Sequence, residues 1–135
     1  MNRIVLDTNV LVSALLLGGA PGKLIQFWQT ERIHLLASRE IMDEYLRVLT
    51  YPKFSLSEEE IHCLLTQEIL PWVEVISVPQ GKKWIPEDPE DDKFIWCALE
   101  GKARALVSGD KHLLKLQSCP VRILSPAQFL RGIKE

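Results

Sequence analysis

Short unbroken apolar runs alternate along this chain with longer stretches in which apolar residues recur every three or four positions. Ile4-Val5-Leu6 is such a run, and it predicts a strand over residues 2–6 that is buried on both faces. Residues 33–37, 73–77, 105–107 and 121–124 predict four more strands. Between them the spacing predicts helices. One covers residues 10–17 and stops at Gly18-Gly19; the next runs over about 20–30, with Pro21 in its first turn. Ser38 is placed to cap a helix that Tyr51-Pro52 ends near residue 50. Ser57 with Glu60 forms the sequence pattern of a capping box, opening a helix to about residue 70, where Pro71 stops it.

Residues 78–89, rich in Pro, Gly and Lys, predict the longest loop. Asp88 as N-cap, Pro89 at the first helical position and Asp91 in the first turn then predict a helix to about Gly101. A short helix over 111–116 and a last one after Ser125-Pro126 complete the series. Strands alternating with helices imply a parallel sheet covered on both sides. The fold class expected is α/β, a three-layer α/β/α sandwich around a parallel sheet of about five strands. No repeat, low-complexity tract or linker divides residues 1–135, so a single domain is expected.

Composition narrows the class. Of the 135 residues 47% are hydrophobic and 25% charged, the balance of a soluble globular domain. No apolar run approaches the ~20 residues of a membrane helix. With no signal-peptide pattern at the N-terminus, a cytoplasmic protein with no membrane partner is expected. Cys63, Cys97 and Cys119 are odd in number and far apart, which speaks against a disulfide framework or a zinc site; His34, His62 and His112 are equally scattered. The net charge of −2 does not exclude a nuclease, because active-site carboxylates subtract charge that a bound metal returns.

The candidate chemistry lies in the acids. In an open parallel sheet, ligands bind beyond the carboxyl ends of the strands. Asp7 directly follows the first strand, and Asp110 follows Ala105-Leu106-Val107 after Ser108-Gly109. Each alone also reads as an ordinary helix N-cap. Glu44 sits at the border of the apolar stripe Ile41, Met42, Tyr45, Leu46, Val48 and Leu49, one step less solvated than Glu40; alone it also reads as a solvated helix acid. Asp92 falls in the middle of the face marked by Ile95, Trp96 and Leu99, where a carboxylate is costly unless paired or metal-bound. With Asp88 and Asp91 assigned to capping, Asp92 is the functional acid of that segment. Four converging acids with no matching cation in the motifs either rise in pKa or are neutralised by a cation. Oxygen-only ligation suits Mg²⁺ or Mn²⁺, and such a site suits attack of water on a phosphodiester.

The ordered set of motifs resembles the PIN-domain nuclease family. Asp7-Thr8-Asn9 is similar to its opening D-T-N and Glu44 to its helix glutamate. Asp88-Pro89-Glu90-Asp91-Asp92, followed by Lys93-Phe94-Ile95-Trp96-Cys97-Ala98, resembles the third acidic motif of a bacterial and archaeal subgroup. Ser108-Gly109-Asp110 resembles its T-G-D, with Ser in place of Thr. The resemblance covers nearly the whole chain. It implies a metal-dependent ribonuclease with Asp7, Glu44, Asp92 and Asp110 as metal ligands, often the VapC-like toxin of a toxin–antitoxin pair. It thereby implies RNA as substrate, a small antitoxin protein as partner and, by family analogy, a homodimer. Asp91 competes with Asp92 for the ligand role, and both family register and helix geometry choose Asp92.

Supporting roles follow physically. Thr8 and Ser108 offer hydroxyls to orient Asp7 and Asp110, and Asn9 can hydrogen-bond a carboxylate or water; turn and cap chemistry explains the same residues. For RNA phosphates the basic candidates are Arg39, Arg47, Lys53, Lys82, Lys83, Lys93 and Lys111, of which Lys93 and Lys111 adjoin motif acids. Trp84 could stack on a base or pack in the core. A receiver domain would require an acid after Val75-Ile76-Ser77, and a haloacid-dehalogenase-type phosphatase would require Asp where Asn9 stands. A silent RNA- or partner-binding module has no use for an acid in an apolar stripe.

Overall fold

The computed structural model describes residues 2–116 and 119–133. Five strands, β1 (Asn2–Leu6), β2 (Ile33–Ala37), β3 (Val73–Val75), β4 (Ala105–Val107) and β5 (Ile123–Leu124), form one sheet in the order β3-β2-β1-β4-β5. Every pairing is parallel. Burial follows position in the sheet. Ile4, Val5 and Leu6 of the central strand are sequential yet all buried, as are Ala105, Leu106 and Val107. Successive strand residues face opposite sides, so both sides are covered by helices. At the edge, Glu74 and Val75 of β3 are exposed. The fold is the expected three-layer α/β/α sandwich.

The helices are α1 (Thr8–Leu16), α2 (Gly19–Gly22), α3 (Leu24–Gln29), α4 (Arg39–Leu49), α5 (Glu58–Cys63), α6 (Asp92–Glu100), α7 (Lys111–Leu114) and α8 (Pro126–Ile133). Ser38 caps α4 through the Ile41 amide at 3.1 Å. Ser57 and Glu60 close their capping box reciprocally at 2.8 and 3.0 Å. Ser125 and Gln128 do the same at the start of α8. Gly18 and Gly19, both at positive φ, let the chain turn 81° between α1 and the helical stretch that follows. Among the described residues no single helix is long and apolar enough to cross a membrane.

Three expectations are corrected. The helix foreseen over 20–30 is two pieces, broken at Lys23. The helix foreseen to residue 70 leaves α geometry after Cys63: its turns widen over Leu64–Ile69, then tighten to a 3-10 turn over Leu70–Trp72. Pro71 explains this, since its ring clashes with the carbonyl four residues earlier and it donates no hydrogen bond. The helix foreseen from Asp88 opens as a 3-10 turn over Pro89–Asp91, and α6 begins only at Asp92.

One buried contact ties this frame to its functional end. The Tyr45 hydroxyl of α4 donates to the Leu6 carbonyl at 2.6 Å, at the last residue of β1. Burial first, then the nearby Cys97, Asp7 and Glu44, push the phenol well above its ordinary pKa, so it remains a donor. Tyr45→Phe keeps the packing and removes the bond. It is expected to lower stability by about 1–2 kcal/mol in urea unfolding, and an unchanged midpoint would show the bond to be idle.

Candidate active site

The two central strands end together. Leu6 pairs with Val107, so Asp7 and Ser108 leave the same edge of the sheet side by side. Sequence order runs outward from this pair in both directions, which makes it the topological switch point where open parallel sheets form crevices. Asp7 is 5% exposed and caps α1 weakly, accepting from the Asn9 amide at 3.4 Å. Its other oxygen accepts from the Ser108 hydroxyl at 2.6 Å. The Ser108 hydroxyl oxygen in turn accepts from the Asp110 amide at 2.9 Å. One fully buried hydroxyl therefore holds both acids in register. Asp110 caps α7 by accepting from the His112 amide at 2.8 Å. The capping reading and the site reading of these two acids are thus compatible.

The acidic stretch before α6 is arranged differently from expectation. Asp92 is 1% exposed, as its place in the apolar stripe requires. Its Oδ1 accepts from the backbone amides of Trp84 and Ile85, at 3.0 and 2.9 Å. That carboxylate clamps the preceding loop, and Ile85 is drawn into the core with it. Trp84 is half-buried and packs on the core, with the Lys82 ammonium 4.5 Å above its ring. Asp88 stands at the N-cap of the 3-10 turn, with Pro89 after it, and Asp91 at the N-cap of α6, yet neither side chain makes a capping bond. Asp91 is half-buried and within electrostatic reach of Asp7 and Asp110. Burial is the main cause that pushes its carboxyl up to about 7, followed by the charges of Asp7 and Asp88; Lys93 opposes and Asp110 adds. Burial likewise raises Asp7, against the hydrogen bonds from Ser108 and Asn9, and Asp110 and Glu44 add to the rise.

Glu44 and Lys93 form a second group. Glu44 Oε1 meets the Lys93 ammonium at 2.6 Å, with the exposed Arg47 guanidinium at 3.6 Å. Glu44 Oε2 accepts from the Thr8 hydroxyl, which therefore serves Glu44 and not Asp7 or Asp110. Lys93, a candidate for RNA phosphates, is 4% exposed and also donates to the Glu90 carbonyl. Lys111 is exposed at the start of α7, beside Asp110, and Asn9 is exposed beside Asp7. Arg39 is exposed in the first turn of α4, in a concavity lined by Ser38, Asp43, Ile76 and Val78. Sequence reasoning missed the pairing of Lys93 and the half-burial of Asp91. The signal for Lys93 was its place inside an uninterrupted buried run, Asp92 to Ile95.

Asp7, Asp91 and Asp110 thus supply oxygen donors, with Asp7 and Asp110 both raising the Asp91 carboxyl. Among the described residues no three acids, histidines or cysteines are gathered tightly enough to enclose an ion. The donor set fits a hard divalent ion and offers nothing to a soft one.

Two tests follow. The folded chain keeps the Asp91 proton up to about pH 7, whereas an unfolded aspartate loses it near 3.9. Between those values the folded state binds more protons, so stability falls as pH rises through this window. Thermal unfolding of the metal-free chain is expected at lower temperature at pH 8 than at pH 5, and Asp91→Asn should flatten that slope; an equal slope in the variant would assign it elsewhere. The second test concerns the clamp. Asp92→Ala orphans two amides and is expected to cost about 2 kcal/mol or more, whereas Asp92→Asn retains an acceptor and should cost clearly less in the same unfolding assay.

Comparison with known proteins agrees with the fold. A model of the PIN domain matches residues 3–112. An uncharacterized protein of Methanocaldococcus jannaschii is 31% identical over 146 residues, spanning 98% of this chain and 92% of its own. Among solved structures, PAE2754 from Pyrobaculum aerophilum superposes with a TM-score of 0.60 at 13% identity, covering 97% of this chain and 88% of its own. A chain of VapBC2 from Rickettsia felis, bound to a DNA fragment from their promoter, does so with a TM-score of 0.57 at 15% identity, covering 91% and 97%. These two likenesses establish the fold, while the family model spans most of the chain and every acid described above. The chain belongs to the PIN-domain nuclease family.

Proposed function

We propose that this nuclease is a divalent-metal-dependent endoribonuclease whose ion, Mg²⁺ or Mn²⁺, is held by Asp7, Asp91 and Asp110. One observation carries the proposal: the paired ends of β1 and β4 set Asp7 beside Ser108, whose hydroxyl ties it to the Asp110 amide, with Asp91 near enough for both charges to raise its carboxyl. Asp7 and Asp110 keep the roles expected of them. Asp91 replaces Asp92 as third ligand in this reading, because Asp92 is almost fully buried and commits its Oδ1 to two loop amides.

When bound, the ion supplies an activated water and charge neutralisation at the scissile phosphate. The chain's own residues do the rest. Ser108 fixes the Asp7 carboxylate through its hydroxyl and Asp110 through its amide. Carboxylates not drawn on by strong cationic partners present full negative charge to the ion. Lys111, exposed beside Asp110, and Arg39 at the head of α4 are the cations proposed to meet RNA phosphates. By analogy with VapBC2, we further propose that the nuclease acts as a toxin restrained by a small antitoxin protein.

Cleavage of a mixed-sequence RNA in Mn²⁺, with and without EDTA, tests the proposal. Asp7→Asn, Asp91→Asn and Asp110→Asn should each reduce single-turnover cleavage by about a hundred-fold or more, and the triple variant should be little worse than any single, as for groups acting as one unit. RNA binding in a filter assay should survive in all of them. Asp92→Asn should retain cleavage within about ten-fold of the parent, since its role is to hold a loop. Loss in Asp92→Asn with retention in Asp91→Asn would return the ligand role to Asp92. Binding without any EDTA-sensitive cleavage by the parent would mark a silent binding module.

A further inference from the structure

The buried Lys93 is the least expected feature of the site. A lysine is almost never fully buried unless paired, and this one is 4% exposed at the start of α6, two residues after Asp91. Its ammonium meets Glu44 Oε1 at 2.6 Å and donates to the Glu90 carbonyl. Glu44 is saturated as a result: Oε1 faces Lys93 and, at 3.6 Å, Arg47, while Oε2 accepts from Thr8. The acids therefore divide into two groups. Glu44 has its cation built into the chain, and Asp7, Asp91 and Asp110 do not.

We propose that Lys93 is a resident cation of the active site, which occupies the acidic flank around Glu44 and limits the site to one divalent ion. The inference rests on the metal reading above. An ion bridging Glu44 to Asp7 would have to displace an ammonium that is also anchored on the Glu90 carbonyl. A buried ammonium cannot leave such a place for water without losing both partners. Its second anchor, the Glu90 carbonyl, lies in the 3-10 turn before α6. Lys93 is a positioning residue: it sets the charge count of the site and touches neither ion nor substrate.

Titration calorimetry with MnCl₂ on the full chain, alongside a count of bound Mn²⁺ by electron paramagnetic resonance, tests the assignment without reference to cleavage. The parent is expected to bind one Mn²⁺ per chain. Lys93→Met removes the cation and frees Glu44, so Mn²⁺ should bind about ten-fold tighter or a second ion should enter. Lys93→Met also leaves Glu44 short of a partner and lowers stability, so a charge-neutral variant supplies the second arm. Glu44→Gln combined with Lys93→Met removes the pair together, and should bind one Mn²⁺ within about three-fold of the parent. Two ions on the parent would overturn the inference, as would a Lys93→Met variant that binds Mn²⁺ no tighter. So would a loss beyond about ten-fold in the double variant, which would make Glu44 a ligand. A parent that binds no Mn²⁺ at all would overturn the metal reading itself, and this inference with it.

Discussion

The pairing of β1 with β4 is the constraint on which the rest of the molecule depends. Both strands are buried on both faces, so their register is set by packing from either side. That register brings Leu6 opposite Val107 and leaves Asp7 and Ser108 adjacent at the edge. Ser108 converts the adjacency into a fixed geometry by donating to Asp7 and accepting from the Asp110 amide. Because the strands run parallel and the connections leave in opposite directions along the sheet, the chain opens a crevice there. A slip of one residue would reverse every side chain of β1 and carry Asp7 away from the hydroxyl that orients it.

Around this edge the protein distributes its acids by how each charge is compensated. Asp92, the most deeply buried, has backbone dipoles as partners. Glu44, at a helix surface that other elements cover, has an ammonium, a guanidinium and a hydroxyl. Asp7 has a hydroxyl and one amide, which lessen but do not cancel the desolvation of its charge. Asp91 makes no capping bond and is opposed by Asp7, Asp88 and Asp110. Compensation thus ranges from two backbone amides on Asp92 Oδ1 to the distant opposing charge of Lys93 on Asp91. Native structures concentrate such unfavourable charge where a ligand relieves it, and stability is the quantity given up to hold it there.

Much of this was legible in the chain itself. Strands buried on both faces show as unbroken apolar runs, and Ile4-Val5-Leu6 and Ala105-Leu106-Val107 carry no competing signal. Ser38, Ser57 and Ser125 announce their helices because capping is local chemistry between residues three apart. Asp7 and Asp110 follow from the strand ends. The stretch 88–92 was misread because angular position on a helix depends on where the helix begins. The Pro89–Asp91 turn has three residues per turn rather than 3.6, which shifts the start of α6 to Asp92 and leaves Asp91 at its N-cap without a capping bond. Periodicity placed Asp92 in the interior correctly, but it cannot distinguish among the ways of satisfying a buried carboxylate. The amides of Trp84 and Ile85 belong to a loop with no periodic pattern, and the Lys93–Glu44 contact joins two helices distant in sequence.

The same misreading explains why the acid next to Asp91 is buried. The turn Pro89–Asp91 is held behind by Asp92, whose carboxylate fastens the loop at Trp84 and Ile85, and from within by Lys93, which grips the Glu90 carbonyl. Asp91 itself is left without a cap, on a turn whose surroundings are fixed. A carboxylate so placed has lost most of its freedom during folding, so little ordering remains when a cation arrives. Rigid support for an uncompensated charge is also the arrangement in which a cation gains most, because the repulsion it removes cannot be relieved by movement of the chain. The two residues after Asp91 therefore act as a bracket, one through hydrogen bonds and one through charge. The repulsion at the switch point persists in the folded chain because that bracket does not yield.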